Sequence, residues 1–313
     1  MSTSEFSVRS LNPAALLLRN KNASYGLFAL LFAISLLVWR RPLSLTFELA
    51  LRSDQYTHIL LILPVSLALI LLSWNSKQDT GSPGIAIGFA VMAGALLISW
   101  MAARQVSSSP NLPLAAVIFG LVSWWIGSFV LCFGIRTLRK YVFPLCFLFW
   151  LIPLPAAVLD SIVVMLQRGS ALASYGLFKA FGVPVIRDGV VLSIPGVDIE
   201  VAAECSSIRS SLMLVVSSMV LAQLFLISLW RKVSVVLVAL PLSVAKNAVR
   251  IFTLSMLGTH VDPGFLTGTL HHRGGIVFFL MALGFLVLFL RLLREPVPPI
   301  RSKATLSTLG QGG

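Results

Sequence analysis

Eight long apolar runs, separated by short polar stretches, dominate the chain. A helix needs about 20 apolar residues to cross the hydrocarbon core of a bilayer, whereas a barrel strand needs about half that number. Lipid offers no partners to backbone N–H and C=O groups, so only helices and closed barrels can span it. The runs therefore predict an all-α, polytopic integral membrane protein with about eight transmembrane helices. The predicted spans are 24–40, 57–74, 84–102, 112–134, 141–157, 206–229, 233–258 and 275–292.

The region between the fifth and sixth predicted spans has a different pattern. An Ile-Pro-Leu-Pro run at 152–155 is expected to end the fifth span, because proline cannot donate a helical hydrogen bond. From Asp160 to Phe181, polar residues recur at helical spacing among apolar ones, which predicts an amphipathic helix at the membrane interface. Short apolar pieces around turn signals at 187–189 and 195–196 predict a small β-like insertion.

The composition agrees with a membrane protein and argues against a water-soluble one. Hydrophobic residues make up 57% of the chain and charged residues only 11%, against about a quarter charged in soluble domains. The net charge of +13 would suggest nucleic acid in a soluble protein, but in a membrane protein it is typical of cytoplasmic loops and anionic lipid headgroups. Membrane lipids are therefore expected partners, and nucleic acid is not.

The basic residues also predict how the chain is oriented. When successive loops are assigned alternately to the two sides of the membrane, one side carries more Lys and Arg. This excess is clearest at 135–141, at 230–232 and in the C-terminal tail. Loops rich in Lys and Arg stay in the cytoplasm, so both termini are predicted there, with Arg40 and Arg41 as exceptions. The domain plan is a cytoplasmic segment at 1–23, a transmembrane domain at 24–292 with an extracytoplasmic loop at about 157–204, and a cytoplasmic polar tail at 293–313.

A cysteine opens the sixth predicted span at its outer end. Cys205 follows Glu204 and is followed by serines and by Arg209 one turn later. A helix N-terminus carries partial positive charge, and Arg209 adds a full one, so both would favour a thiolate at Cys205. The other two cysteines lie inside apolar runs, and no disulfide framework is predicted. Cys205 is thus a candidate nucleophile, with a small packing residue as the alternative.

Polar residues inside the seventh predicted span form a second candidate group. Ser243, Asn247 and Arg250 share one helical face by their spacing, and Lys246 lies beside them. Ionisable residues inside a span are expensive and indicate function by default. The guanidinium of Arg250 suits an oxyanion or a carboxylate. The alternatives are a side chain that extends to the interface or a structural ion pair.

Two adjacent histidines, His271 and His272, precede the eighth predicted span. Histidine is suited to take a proton from a thiol near neutral pH and to return it to a leaving amine. The predicted orientation puts Cys205, Arg250 and His271 at the same outer boundary, an arrangement that matches acyl transfer by a cysteine. No CxxC or HExxH spacing occurs, so neither a metal nor another cofactor is expected.

At these residues the chain resembles the exosortase/archaeosortase family, whose members are integral membrane cysteine transpeptidases. The resemblance covers about residues 57–292. It rests on a Pro-Leu-Pro break at 153–155, Gly-Val-Pro-Val and Arg-Asp-Gly runs at 182–189, Glu-Cys-Ser-Ser-Ile-Arg-Ser at 204–210, Asn-Ala-Val-Arg-Ile at 247–251, and His271 four residues before Gly275. One position departs from the family pattern, since Ser207 stands where glycine is usual.

The resemblance implies specific roles and partners. Cys205 would be the nucleophile, Arg250 the cationic stabiliser and His271 the general acid and base. Glu204, Arg209, Asn247 and His272 are the supporting candidates among the neighbouring polar residues. Its expected substrates are exported proteins with a C-terminal sorting signal, made of a Pro-Glu-Pro-type motif, a transmembrane helix and a basic tail. The expected location is the inner membrane, with the site facing the periplasm. The alternatives are a transporter or flippase, and a non-catalytic assembly factor for exopolysaccharide export.

Overall fold

The computed structural model describes residues 21–74, 82–105, 111–201, 208–262, 264 and 275–294. The chain divides into two compact units, Met1–Met213 and Leu214–Gly313. The helices are α1 (Lys21–Val38), α2 (Arg40–Arg52), α3 (Ile59–Ser73), α4 (Ile85–Arg104), α5 (Asn111–Lys140), α6 (Val142–Phe147), α7 (Ala156–Ala180), α8 (Ile208–Phe225), α9 (Leu229–His260) and α10 (Gly275–Leu293). Short 3₁₀ turns, Asp54–Tyr56 and Leu148–Leu151, precede α3 and follow α6.

Among the described residues, eight helices are long and apolar enough to cross a membrane. They are α1, α3 with its preceding turn, α4, α5, α7, α8, α9 and α10. This confirms the expected all-α polytopic fold. Seven of the eight coincide with predicted spans. The eighth, α7, lies where no span was predicted, and the predicted fifth span has no matching long helix.

The expected helical span at 141–157 is wrong as a single helix. Its helical part is α6 and the following 3₁₀ turn, which together cover only the ten residues Val142–Leu151. The chain is extended at Ile152, because Pro153 and Pro155 cannot continue a helix. Ten residues are too few to cross a bilayer as a helix alone.

The amphipathic helix expected at 160–181 exists as the 25-residue α7. One face of it is buried, through Leu159, Val163, Leu166, Ser170, Ser174 and Phe178. A three-stranded antiparallel sheet follows, in the order β1 (Ile186–Asp188), β2 (Val191–Ile194) and β3 (Val197–Glu200). Its two turns contain Gly189 and Gly196 at positive φ, where glycine avoids a steric penalty. This sheet is the small β-like element that the turn signals predicted.

The first unit is built around the close packing of α4 on α5. The backbone N–H of Gly84 donates to Val130 O at 3.1 Å, and a Cβ on Gly88 would lie 2.5 Å from the Cβ of Leu131. Small residues at such positions let helix backbones approach within a membrane. Helix α5 changes direction at Gly134, whose φ of 80° is not helical, and this kink coincides with the predicted end of the fourth span.

The second unit contains most of α8 together with α9 and α10, packed through an apolar core. The buried members of this core are Leu214, Ala222, Leu226, Val235, Ala239, Ala282, Leu286 and Leu290. At one end of the unit, Lys232 Nζ donates to Gln223 Oε1 at 2.7 Å and Arg231 Nη1 donates to Leu293 O at 2.8 Å. The end of α8, the start of α9 and the end of α10 therefore meet there.

Candidate active site

The predicted site residues divide into two groups. Arg209, Asn247 and Arg250 are described, whereas the other four lie outside the described residues: Glu204, Cys205, His271 and His272. The roles expected for these four stay predictions. Among the described residues, the geometry specifies how the chain is held just before and just after the segment that carries Cys205.

The chain before this segment is anchored to α7. Gln167 Nε2 donates to the carbonyl oxygen of Val201 at 3.0 Å, and the N–H of Val201 donates to Val190 O at 3.0 Å. Val201 is fully buried, so both of its backbone polar groups need partners. These two bonds fix the backbone four residues before Cys205.

The chain after this segment is anchored to the turn that precedes α3. Arg209 Nη1 lies 2.7 Å from Asp54 Oδ1, four residues after Cys205 in the sequence. Both side chains are more than half exposed, so the pair contributes little to folding stability. Its effect is positional, because it joins the start of α8 to residues 155 positions away in the chain. The sequence contains no local signal that would identify Asp54 as this partner.

The turn that carries Asp54 is itself held by a buried polar cluster. Tyr56 Oη donates to Leu154 O at 2.8 Å, and Asn111 Nδ2 donates to Tyr56 Oη at 3.3 Å. His58 is 2% exposed and packs edge-on against Trp150, with ring centroids 6.0 Å apart. The start of α3 is therefore tied both to the start of α5 and to the extended chain after the second 3₁₀ turn.

The polar residues of α9 share one face, as their spacing predicted. Ser243 and Asn247 are buried and Arg250 is half-buried. Lys246 is 3% exposed, so its ammonium does not extend into solvent as a residue at the interface would. These side chains lie on the stripe of α9 that continues the apolar core of the second unit.

The length of α9 places Arg250 at a particular depth. The helix has 32 residues, and about 20 residues suffice to cross the hydrocarbon core. If Lys232 and its basic neighbours mark one membrane boundary, the opposite boundary falls near Phe252. Arg250 then lies at that opposite boundary, and Lys246 lies one turn deeper. Helix α10 also begins at this end of the second unit, because its last residue, Leu293, contacts Arg231 at the other end.

The remaining polar candidates add no further site among the described residues. His260 is exposed at the end of α9, with its Nδ1 2.8 Å from Thr259 Oγ1. Cys132 is buried and Cys146 is exposed, and both are free thiols. The described part of the chain holds no group of three or more His, Cys, Asp or Glu side chains that could hold a metal ion.

Comparison with known proteins identifies the family. A family model described as transmembrane exosortase matches residues 39–288, which is most of the 313-residue chain. No curated protein and no solved structure matches. The matched stretch includes both anchors of the Cys205 segment and all three predicted catalytic residues. The chain therefore belongs to the transmembrane exosortase family.

Proposed function

We propose that this protein is a membrane-embedded cysteine protease/transpeptidase that cleaves C-terminal sorting signals of exported proteins. Its site would face the outer, periplasmic side of the inner membrane. The observation that carries this proposal is the anchoring of the chain on both sides of Cys205, by Gln167 before it and by Asp54 after it. A nucleophile must be held in a defined position to attack efficiently.

The proposed reaction uses three residues. The thiol of Cys205 gives its proton to His271, and the sulfur attacks the carbonyl carbon of the scissile peptide. Arg250 stabilises the negative charge that develops on the carbonyl oxygen. The tetrahedral intermediate then collapses to a thioester, and His271 returns the proton to the leaving amine. Water or an acceptor amine next attacks the thioester and releases Cys205.

Supporting roles fall to the neighbouring polar residues. Asn247 is 1% exposed and lies one turn from Arg250 on the same face of α9, so it suits the task of orienting that side chain. Glu204 precedes the nucleophile and could hold a basic group of the substrate, while His272 is the alternative base. The boundary depth of Arg250 suits a substrate whose scissile bond lies just outside its own transmembrane anchor.

The decisive experiment replaces the thiol. A candidate substrate with a C-terminal motif, apolar helix and basic tail is expressed with the wild type, with Cys205→Ala and with Cys146→Ala, and its size is followed by immunoblot. We expect processing with the wild type and with Cys146→Ala, since Cys146 is an exposed free thiol and belongs to neither anchor, and no processing with Cys205→Ala. Processing by a well-expressed Cys205→Ala protein would disprove the mechanism and would favour a transporter or an assembly factor.

A further inference from the structure

Residues 141–154, which connect α5 to α7, run along the whole length of α3. Tyr141 Oη donates to Ser73 O at 3.2 Å, and Ser66 Oγ donates to Pro144 O at 2.7 Å. Tyr56 Oη donates to Leu154 O at 2.8 Å at the other end. From Tyr56 to Ser73, a helix rises about 26 Å, close to the thickness of the hydrocarbon core. Residues 141–154 therefore make the fifth crossing, although they are not one helix.

Helices α7 and α8 both begin at the same membrane boundary. Leu154, two residues before α7, contacts Tyr56, and Arg209 at the start of α8 contacts Asp54, two residues from Tyr56. The chain thus leaves this boundary at 154 and is back at it by 209. Between those points it crosses the membrane either twice or not at all.

Two crossings conflict with the residues that would have to make the second one. After α7 the described chain forms strands of three and four residues with open edges, whereas a spanning strand needs about 9–11 residues in a closed barrel. Four charged side chains are exposed on these strands: Arg187, Asp188, Asp198 and Glu200. Such charges are strongly disfavoured in hydrocarbon.

The exposed surface of α7 does not fit a helix that crosses the bilayer. It carries apolar side chains, Val158, Met165 and Leu172, which are 47%, 61% and 57% exposed. Ser161, Arg168 and Lys179 are exposed on the same face, because residues three, four or seven positions apart share one face of a helix. Arg168 is the middle residue of the helix and would face the centre of the bilayer if α7 crossed it.

We propose that α7 lies in the membrane interface, at the boundary marked by Tyr56 and Arg209, and that its partner is the lipid surface. Its buried face packs on the protein and its exposed face meets the lipid surface, with the apolar side chains among the acyl chains and the long side chains of Arg168 and Lys179 near the headgroup phosphates. This inference rests on contacts within the first unit and is independent of the proposed catalysis. It makes Gln167 an anchor that reaches the Cys205 segment from an interfacial helix.

The test is cysteine labelling in a background without native cysteines. Single cysteines replace Ser161 and Lys179 near the two ends of the exposed face, and Met165 and Leu172 between them. A membrane-impermeant maleimide is added to one side of intact cells or to the other side through inverted vesicles. Ser161 and Lys179 are about 27 Å apart along the helix, so a crossing helix would place them on opposite sides.

We expect Ser161→Cys, Met165→Cys, Leu172→Cys and Lys179→Cys all to be labelled from the same side, because no part of a helix that lies flat is at the bilayer centre. All four should react at least tenfold more slowly than Asp198→Cys on the exposed strand β3, because their face lies in the lipid interface. Labelling of Ser161→Cys and Lys179→Cys from opposite sides would show that α7 crosses the membrane and would overturn the proposal. Rates equal to that of Asp198→Cys would equally overturn it, because α7 would then lie in water. If a variant does not accumulate, Val158→Cys replaces Ser161→Cys and Gly176→Cys replaces Lys179→Cys.

Discussion

At the scale of single residues, Arg209 shows what the structure adds to a predicted role. Its position one turn after Cys205 predicts that its charge favours a thiolate. In the structure its guanidinium lies 2.7 Å from the carboxylate of Asp54. An exposed pair of this kind contributes about 0 to 1 kcal/mol to stability. We therefore propose that Arg209 also positions the chain that follows Cys205.

We expect Asp54→Ala and Arg209→Ala each to reduce substrate processing several-fold while changing the unfolding temperature little. The charge exchange, Asp54→Arg combined with Arg209→Asp, should restore part of the lost processing, because it rebuilds the pair. Glu48→Ala is the control, since Glu48 pairs with Arg52 at the same distance of 2.7 Å and also on the exposed surface, on α2. If Arg209 acted through its own charge on the thiol, Asp54→Ala would be silent and the exchange would rescue nothing.

At the scale of elements, glycines decide how closely α4 and α5 pack. A Cβ added to Gly88 would lie 2.5 Å from Leu131 Cβ and 2.8 Å from its backbone nitrogen, whereas a Cβ added to Gly94 on the same helix would meet nothing within 4 Å. Backbone cannot move aside as the end of a flexible side chain can. Gly88 is therefore a packing residue and Gly94 is not.

Gly88→Ala should lower the unfolding temperature of the protein in detergent, by an overpacking penalty of about 1 to 3 kcal/mol. Gly94→Ala should leave that temperature unchanged or raise it, because alanine favours the helix by about 1 kcal/mol over glycine. Thermal unfolding followed by circular dichroism compares the two variants. A larger loss for Gly94→Ala than for Gly88→Ala would contradict the packing argument.

At the scale of the whole molecule, basic residues gather at particular membrane boundaries. Helix α5 ends in Arg139 and Lys140, next to Tyr141, which contacts Ser73 at the end of α3. In the second unit, Arg231 and Lys232 lie together at one end. Positively charged ends of this kind are retained in the cytoplasm. We therefore predict that these ends are cytoplasmic and that the boundary with Asp54 and Arg209 is outside.

Reporter fusions test this orientation. Alkaline phosphatase, which is active only outside the cytoplasm, should be active when fused after Gln105 and inactive when fused after Trp230. A fluorescent protein that folds only in the cytoplasm should give the reverse pattern at the same two positions. Phosphatase activity after Trp230 and none after Gln105 would move the Cys205 segment to the cytoplasmic side and remove the proposed access to exported substrates.

Most spans could be predicted from the sequence, because crossing a bilayer is a local requirement on length and hydropathy. The fourth span was predicted to end at 134, where α5 has its kink at Gly134, but the helix continues to Lys140. The turns of the small sheet lie at the predicted glycines. The predicted fifth span was harder, since its apolar run does not reveal that proline leaves only ten helical residues. Length and composition also cannot tell that α7, although 25 residues long, has an exposed arginine at its centre among exposed apolar side chains.

The sequence by itself determined the membrane class, the family motifs and the candidate residues Cys205, Arg250 and His271, because each depends on residue type and short spacing. Only the tertiary structure decided that Arg209 pairs with Asp54, that Gln167 holds Val201, and that residues 141–154 follow α3 from end to end. These contacts join positions from 34 to 155 residues apart. They depend on how helices pack in three dimensions, which local pattern does not encode.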